Sequence, residues 1–438
     1  MNNRRPIRPS VIIRWLILTL AGWLGYALVR GVWAIVYLGA PLYDWTWYIP
    51  VIALLLGVPM YVAGLLPRSR TILFLTVVLL AWVVVGYNGF GQVVSLQPGN
   101  AAQIPISFWA YSDLRNIPES ALRDIQAAGG RIYLDAGPGP FEGERGQTLA
   151  AELQRLADYN IQVYLAPPAS NFLSAPVQRE WVASAQDTAA FIRRAGLTNV
   201  RGLIGDAELP LNGTLDILGA DQANFAKAVS GLRDGIATLH NQYAGFEIGV
   251  TAISIQYLDG LDGDSDLSLL MRSPVDPPGG WDFINVMTYS SYYPPTWRGY
   301  YVYLVERAMA RRYPARPISH LIGLVGGGFP HEPLLDFDDL VRDARLSRAL
   351  GVSELVVFQL GALNVFGHDF VRRLTAAVNG PQDNSALVVP FSRPASAMLY
   401  GAVTADALLD ARGLRGLLWL SWAILSAIIV QRLESPGK

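Results

Sequence analysis

Val200-Arg201-Gly202-Leu203-Ile204-Gly205-Asp206-Ala207-Glu208 is an apolar run that ends in two carboxylates one residue apart, and Leu209-Pro210 stops it. Read as a strand, it puts residues i and i+2 on one face, so Asp206 and Glu208 point the same way. Their Cα atoms would lie about 6.6 Å apart along the strand. Ionising two such neighbours is disfavoured, which makes the pair costly for stability. A plain polar strand end with solvated acids is the competing reading, and the rest of the chain decides between them.

On both sides of this run, from about residue 104 to 379, short β-branched or aromatic runs alternate with amphipathic stretches. Strands are expected at 106–111, 131–136, 161–166, 200–206, 246–252, 283–289, 318–325 and 354–360. Helices are expected between most of them, at 118–128, 148–159, 179–195, 221–243, 299–313 and 336–350, and after the last strand at 368–379. The fifth connection is irregular, with a short helical piece near 267–271. Eight strands, each followed by a crossover, predict an α/β chain folded as a (β/α)8 TIM barrel. Near-continuous apolar runs suit parallel strands buried on both faces. An open doubly wound sheet would alternate similarly, but Tyr111-Ser112-Asp113-Leu114 stands where a G-x-G-x-x-G loop would be.

Chemistry in such a barrel belongs at the C-terminal strand ends. Those ends offer Phe108, Trp109 and Tyr111; Asp135; Pro167, Pro168 and Asn171; Asp206 and Glu208; Ser254 and Gln256; Met287, Tyr289 and Ser290; Gly326-Gly327-Gly328; and Gln359 with Asn364. Acids, amides and aromatic rings without a histidine cluster point to a sugar site, because rings stack on sugar C–H groups while acids and amides bind hydroxyls. Tyr292, Tyr293, Trp297 and Tyr300 either extend that platform or pack the loop.

The run Gly202–Glu208 resembles the D-G-x-D-x-D-x-E motif of chitinase-type glycoside hydrolase family 18, with Gly202, Asp206 and Glu208 on its glycine and last two acids. Met287-Thr288-Tyr289 is similar to that family's M-x-Y-D. Arg201 and Ile204 stand at the two earlier aspartate positions, Ser290 replaces the aspartate after the tyrosine, and Gln359 lies where a tryptophan commonly closes the eighth strand. The resemblance implies attack by the substrate's own N-acetyl oxygen, with Glu208 as general acid. It also implies that Asp206 orients the acetamido group and Tyr289 donates to the reacting carbonyl. A two-carboxylate version pairs Asp135 with Glu208. Trp109, Tyr111, Gln256, Met287, Gln359 and Tyr292 are the expected substrate-binding residues.

The ends of the chain differ in kind. Hydrophobic content is 52% and charged residues are 16%, an imbalance that points to membrane segments. Residues 1–90 are expected to form a membrane domain of three helices, with spans near 15–38, 48–66 and 71–87. A cleaved signal peptide is the rival for the first, but its apolar stretch is longer than a signal core and more spans follow. Arg4, Arg5, Arg8 and Arg14 before the first span, and Arg68 and Arg70 in the second loop, place the N-terminus inside and the barrel outside. This predicts a multi-pass cell-membrane protein with an extracytoplasmic barrel at 104–380. Residues 381–438 read as a linker and a C-terminal transmembrane helix at 414–430. The segment around Asp406 is either interfacial or a further span that would reverse the terminus.

Net charge is −1, which gives no bulk attraction to nucleic acid. Cysteine is absent, excluding disulfides and thiolate chemistry. His240, His320, His331 and His368 show no metal spacing, no phosphate loop or nucleophile elbow occurs, and Asp262, Asp264 and Asp266 lack the rest of a calcium loop. No cofactor or metal is expected. The expected partners are an oligosaccharide or polysaccharide and the lipid bilayer, with protein partners unassigned. The alternative function is a non-catalytic carbohydrate-binding or envelope-scaffold barrel.

Overall fold

The computed structural model describes residues 9–37, 72, 76, 93–96, 103–111, 114–137, 139, 141–168, 175–207, 222–261, 265–271, 273–275, 280–312, 318–324, 334–380, 387–390, 392, 394–395, 398–399, 401–402 and 416–434. The chain divides into two compact units, one of Met1–Gln92 with Arg393–Lys438 and one of Val93–Ser392.

The larger unit begins with β1 (Val93–Leu96), β2 (Ile106–Tyr111), β3 (Arg131–Asp135), β4 (Gln162–Ala166) and β5 (Val200–Ala207). It continues with β6 (Glu247–Ile253), β7 (Phe283–Met287), β8 (Ile318–Leu324), β9 (Glu354–Phe358) and β10 (Leu387–Pro390). In the first half, the crossovers carry α1 (Glu119–Ala127), α2 (Gly143–Asp158), α3 (Ala175–Arg194) and α4 (Gln222–Gln242). Next come α5 (Asp266–Leu270), α6 (Pro295–Arg312), α7 (Phe337–Ala349), α8 (Ala362–Phe366) and α9 (Phe370–Asn379).

Among the described residues, β2 to β9 form a closed parallel barrel in sequence order, and β2 pairs with both β3 and β9. Strands β7 and β9 are buried at every position, as expected for strands covered on both faces. The helices cover them with apolar stripes, such as Phe370, Val371, Leu374 and Val378 of α9. The Asp336 side chain caps α7 by accepting the Asp339 N–H at 2.7 Å.

Inside the barrel, small residues stand opposite large ones. Ile204, Gly249 and Phe283 share one register line, and a Cβ on Gly249 would stand 2.2 Å from the Phe283 ring. Gly202 permits a similar approach of backbones, since its Cβ would lie 1.8 Å from the Glu247 carbonyl oxygen. Trp109, Tyr133 and Tyr164 stack in sequence across the interior, with centroids 6.4 and 5.3 Å apart, and Phe283 meets Tyr164 edge-on at 4.8 Å.

At the N-terminal strand ends the interior turns polar. Glu354 accepts from the Ser107 hydroxyl and from Tyr133 Oη at 2.9 Å, with Arg131 Nη1 at 3.8 Å. Tyr164 Oη donates to Glu247 at 2.5 Å. Burial, then the nearby Glu354 carboxylate, push the Tyr133 hydroxyl well above its usual range, so it remains a donor.

The chain enters and leaves the barrel unit through a ribbon. Antiparallel β1 and β10 pair from Val93 opposite Pro390 to Leu96 opposite Leu387. Asn379 bridges back to Ile104, donating to its carbonyl at 2.8 Å and accepting its N–H at 3.1 Å.

In the smaller unit, the helices Pro9–Tyr37 and Gly416–Glu434 pack together. Trp15 Nε1 donates to the Ala423 carbonyl at 2.6 Å, and Gly22 leaves the space that the Trp422 indole fills. Ile12, Ile13, Leu16, Leu20, Leu420, Ile424, Leu425 and Ile428 are exposed on these helices. Among the described residues no helix is long and apolar enough to cross a membrane. The spans expected at 48–66 and 71–87 fall almost wholly outside the described residues.

Candidate functional site

Period-two alternation brings Trp109 on β2, Asp135 on β3 and Asp206 on β5 to the C-terminal mouth of the barrel. There they line one cavity of about 430 Å³. Ala166, Pro167 and Pro168 continue its wall from the end of β4. Val177 and Glu180 of α3 complete it. Asp135 is half-buried and its Oδ1 accepts the Gly137 N–H at 2.7 Å, which holds the carboxylate at the start of the loop. Trp109 is 3% exposed, and its buried indole N–H has no acceptor among the described residues.

Asp206 lies in register with Thr251 of β6, which pairs in turn with Asn285 of β7. Parallel-sheet partners share a face, so this polar line continues from Asp206 around the barrel wall. Thr251 Oγ1 and both Asn285 amide atoms are buried and have no hydrogen-bond partner among the described residues. Ile204, one step deeper than Asp206 on the same face, is fully buried in the aromatic core.

An aromatic ridge runs across the strand ends from Tyr111 to Tyr292. Tyr111 meets Phe358 edge-on at 5.9 Å, Phe358 meets Tyr289 at 5.6 Å, and Tyr289 meets Tyr292 at 6.3 Å. Its two ends are the exposed members, Tyr111 at 36% and Tyr292 at 57%. Met287 packs beneath it in the core with Trp109.

Other sequence candidates lie elsewhere. Gln256 is fully buried in the 3-10 segment Ser254–Leu261, with both amide atoms unpartnered among the described residues, and is not among the described residues of the cavity wall. Gln359 is 9% exposed, directly after β9. Tyr300 is buried on α6, and Tyr293 packs on Tyr301 with centroids 4.4 Å apart. Glu208, Asn171 and Gly326–Gly328 lie outside the described residues. Among the described residues no group of three acids or histidines could hold a metal ion.

Ser290 faces away from the mouth. It is fully buried and donates to Asp343 Oδ2 of α7, whose Oδ1 accepts from Arg342 at 2.7 and 3.0 Å. Burial pushes the Asp343 carboxyl from 3.8 up to about 6, against the pull of Arg342 and Ser290. Between about pH 4 and 6 the folded chain therefore keeps a proton that the unfolded chain has released. The contribution of Asp343 to stability falls by about 3 kcal/mol as pH rises through that window and is constant above it. Thermal unfolding at pH 4 to 8 should show this decline, and Asp343→Asn should remove it. An identical slope in the variant would rule the assignment out.

Sequence reasoning missed Glu180. It sits in the polar part of a helical period, where nothing local marks it as different from any solvated glutamate.

No family model and no curated protein matches the chain. Solved structures do. The ChiA C-terminal domain of Legionella pneumophila is similar at 14% identity, covering 64% of this chain and 99% of that one, with a TM-score of 0.42. The PgaB (BpsB) glycoside hydrolase domain of Bordetella bronchiseptica is 12% identical over 64% of this chain and 100% of that one, with a TM-score of 0.45. A GH18 chitinase from Pseudoalteromonas aurantia is 11% identical over 62% and 99%, with a TM-score of 0.42. These likenesses carry no argument about this chain, whose function is argued from its own site.

Proposed function

We propose that the protein is a membrane-anchored glycoside hydrolase-like barrel acting outside the cytoplasm on an amino-sugar polysaccharide. The observation that carries this reading is the cavity at the strand C-termini, where Asp135 and Asp206 share a wall with Trp109. The neighbouring ridge of Tyr111, Tyr289 and Tyr292 supplies ring faces for sugar C–H groups. In this reading Glu208, two positions after Asp206 in the sequence, protonates the leaving oxygen. Asp206 orients the substrate's acetamido group and stabilises the developing cation, and Tyr289 donates to the reacting carbonyl. Pairing Asp135 with Glu208 is the two-carboxylate variant of the same proposal. Membrane anchoring is supported by the apolar residues exposed on the helices Pro9–Tyr37 and Gly416–Glu434, and by the arginine distribution around the first spans.

A second reading, a carbohydrate-binding barrel without turnover, has one specific support. The position one step below Asp206 is the apolar, core-packed Ile204 rather than an acid that could share a proton with it. Full-length protein in detergent, given reducing-end-labelled N-acetylated oligosaccharides, separates the two. Turnover that falls about 10²-fold or more in Glu208→Gln is expected for the hydrolase. Binding without turnover, unchanged in that variant, would establish the second reading instead.

A further inference from the structure

We propose that Asp339 and Asp343 of α7 are positioning residues for the barrel mouth, clamping through Arg298 and Ser290 the two ends of the segment that carries Tyr289 and Tyr292. The proposal rests on the carbohydrate reading of the aromatic ridge and names what holds that ridge in shape.

The ridge has two halves of different kinds. Tyr111 and Phe358 end strands β2 and β9, which the hydrogen-bond ladder of the barrel fixes. Tyr289 and Tyr292 come after β7, whose pairing with β8 runs as far as Met287. There the chain makes the 3-10 segment Ser290–Tyr292. With about three residues per turn, such a segment eclipses i and i+3. Tyr289 and Tyr292 therefore share one side, and Ser290 and Tyr293 the other. Burial agrees, since Tyr292 is 57% exposed and Ser290 is fully buried. A short 3-10 turn has poor hydrogen bonds of its own, so the direction of its outer side depends on how its inner side is held.

The inner side is tied to the helical layer at both ends. Ser290 Oγ donates to Asp343 Oδ2. At the far end the Tyr293 carbonyl accepts from Arg298 Nε at 2.9 Å, and the same guanidinium donates to Asp339. The Tyr293 ring packs on Tyr301 of α6, whose hydroxyl meets Ser254 Oγ at 2.8 Å. Asp339 and Asp343 stand one helical turn apart on α7, so both acceptors lie on one face. Arg342 joins them, donating to Asp339 through Nη1 and to Asp343 Oδ1 from Nε and Nη2 at 3.0 and 2.7 Å. The Arg298 and Asp339 side chains are 13% and 17% exposed, and Asp343 is fully buried. These charge-assisted bonds are thus shielded from the water that weakens surface ion pairs. None of Ser290, Arg298, Asp339 and Asp343 is among the described residues of the cavity wall. They act on a ligand through the two tyrosines that the clamp orients.

The test is a double-mutant cycle read in affinity, by calorimetry on the full-length protein in detergent with N-acetylglucosamine tetramers of several linkages. Tyr292→Ala removes an exposed ring and should weaken binding by about three- to tenfold. Ser290→Ala cuts the tie to Asp343 and should weaken it by a similar factor. Arg298→Lys keeps a cation beside Asp339 but loses the planar fork that also reaches the Tyr293 carbonyl, and should do likewise. In the Tyr292→Ala background each of these changes should weaken binding by less than about twofold, because the ring they orient is gone. A clamp that serves stability alone would lower the melting temperature and leave affinity as it was. Effects that add in the double variants, or wild-type affinity in both Ser290→Ala and Arg298→Lys, overturn the proposal while leaving the carbohydrate reading standing. Unchanged affinity in Tyr292→Ala does the same. If Ser290→Ala does not fold, Arg298→Lys and its double variant decide alone. Failure of every tetramer to bind overturns both readings.

Discussion

Asp206→Asn is expected to lower turnover of an N-acetylated oligosaccharide by about 10²- to 10³-fold, through kcat more than KM. The substitution keeps the shape of the side chain and its place in the cavity wall beside Trp109 and Asp135. What it removes is a full negative charge at the position where the proposed mechanism develops positive charge. Preorganised charge in an enclosed site is commonly worth about 2.7–4 kcal/mol of barrier, which corresponds to that rate range. An amide can still accept a hydrogen bond from the acetamido N–H, so ground-state binding should survive better than catalysis. Steady-state kinetics with a parallel melting curve checks this. A variant with unchanged kcat and intact folding would remove Asp206 from the reaction.

Glu354→Ala should destabilise the barrel by about 3–5 kcal/mol. Glu354 opens β9 at 5% exposure and gathers the Ser107 hydroxyl, the Tyr133 hydroxyl at 2.9 Å and Arg131 at 3.8 Å. Without the carboxylate, the buried Tyr133 donor loses its acceptor and the Arg131 guanidinium loses its counter-charge. Those residues sit on β2, β3 and β9, the three strands at which the barrel closes. The loss is thus a large part of the roughly 5–15 kcal/mol that domains possess. Glu354→Gln should cost less, because its amide oxygen still accepts from Tyr133. Denaturant or thermal unfolding of both variants measures the difference. A loss below about 1 kcal/mol in the alanine variant would mean that the cluster is not holding the closure.

The two halves of the barrel mouth differ in how they depend on local sequence. Asp206 faces the cavity because Ile204 faces the core, and both follow from a period of two along one strand. The same rule took Tyr111 and Asp135 to the mouth, and the M-x-Y run took Tyr289 to the ridge. It failed for Ser290 and Gln256, which lie just past strand ends. There the chain turns into the 3-10 segments Ser290–Tyr292 and Ser254–Leu261, so alternation no longer governs direction. Ser290 is turned to the Asp343 carboxylate of a helix 53 positions away, a partner no local window contains.

By itself, the sequence determined the order of strands and helices, the parallel barrel they make and the face on which Asp206 lies, because hydrophobic period is a property of neighbouring residues. Tertiary structure alone decided that Glu180 reaches the wall opposite those strand ends, that β1 and β10 pair across 290 residues of intervening chain, and that Ser290 serves the helical layer. Each of these depends on where distant segments meet in space, and the chain's local pattern carries no record of that.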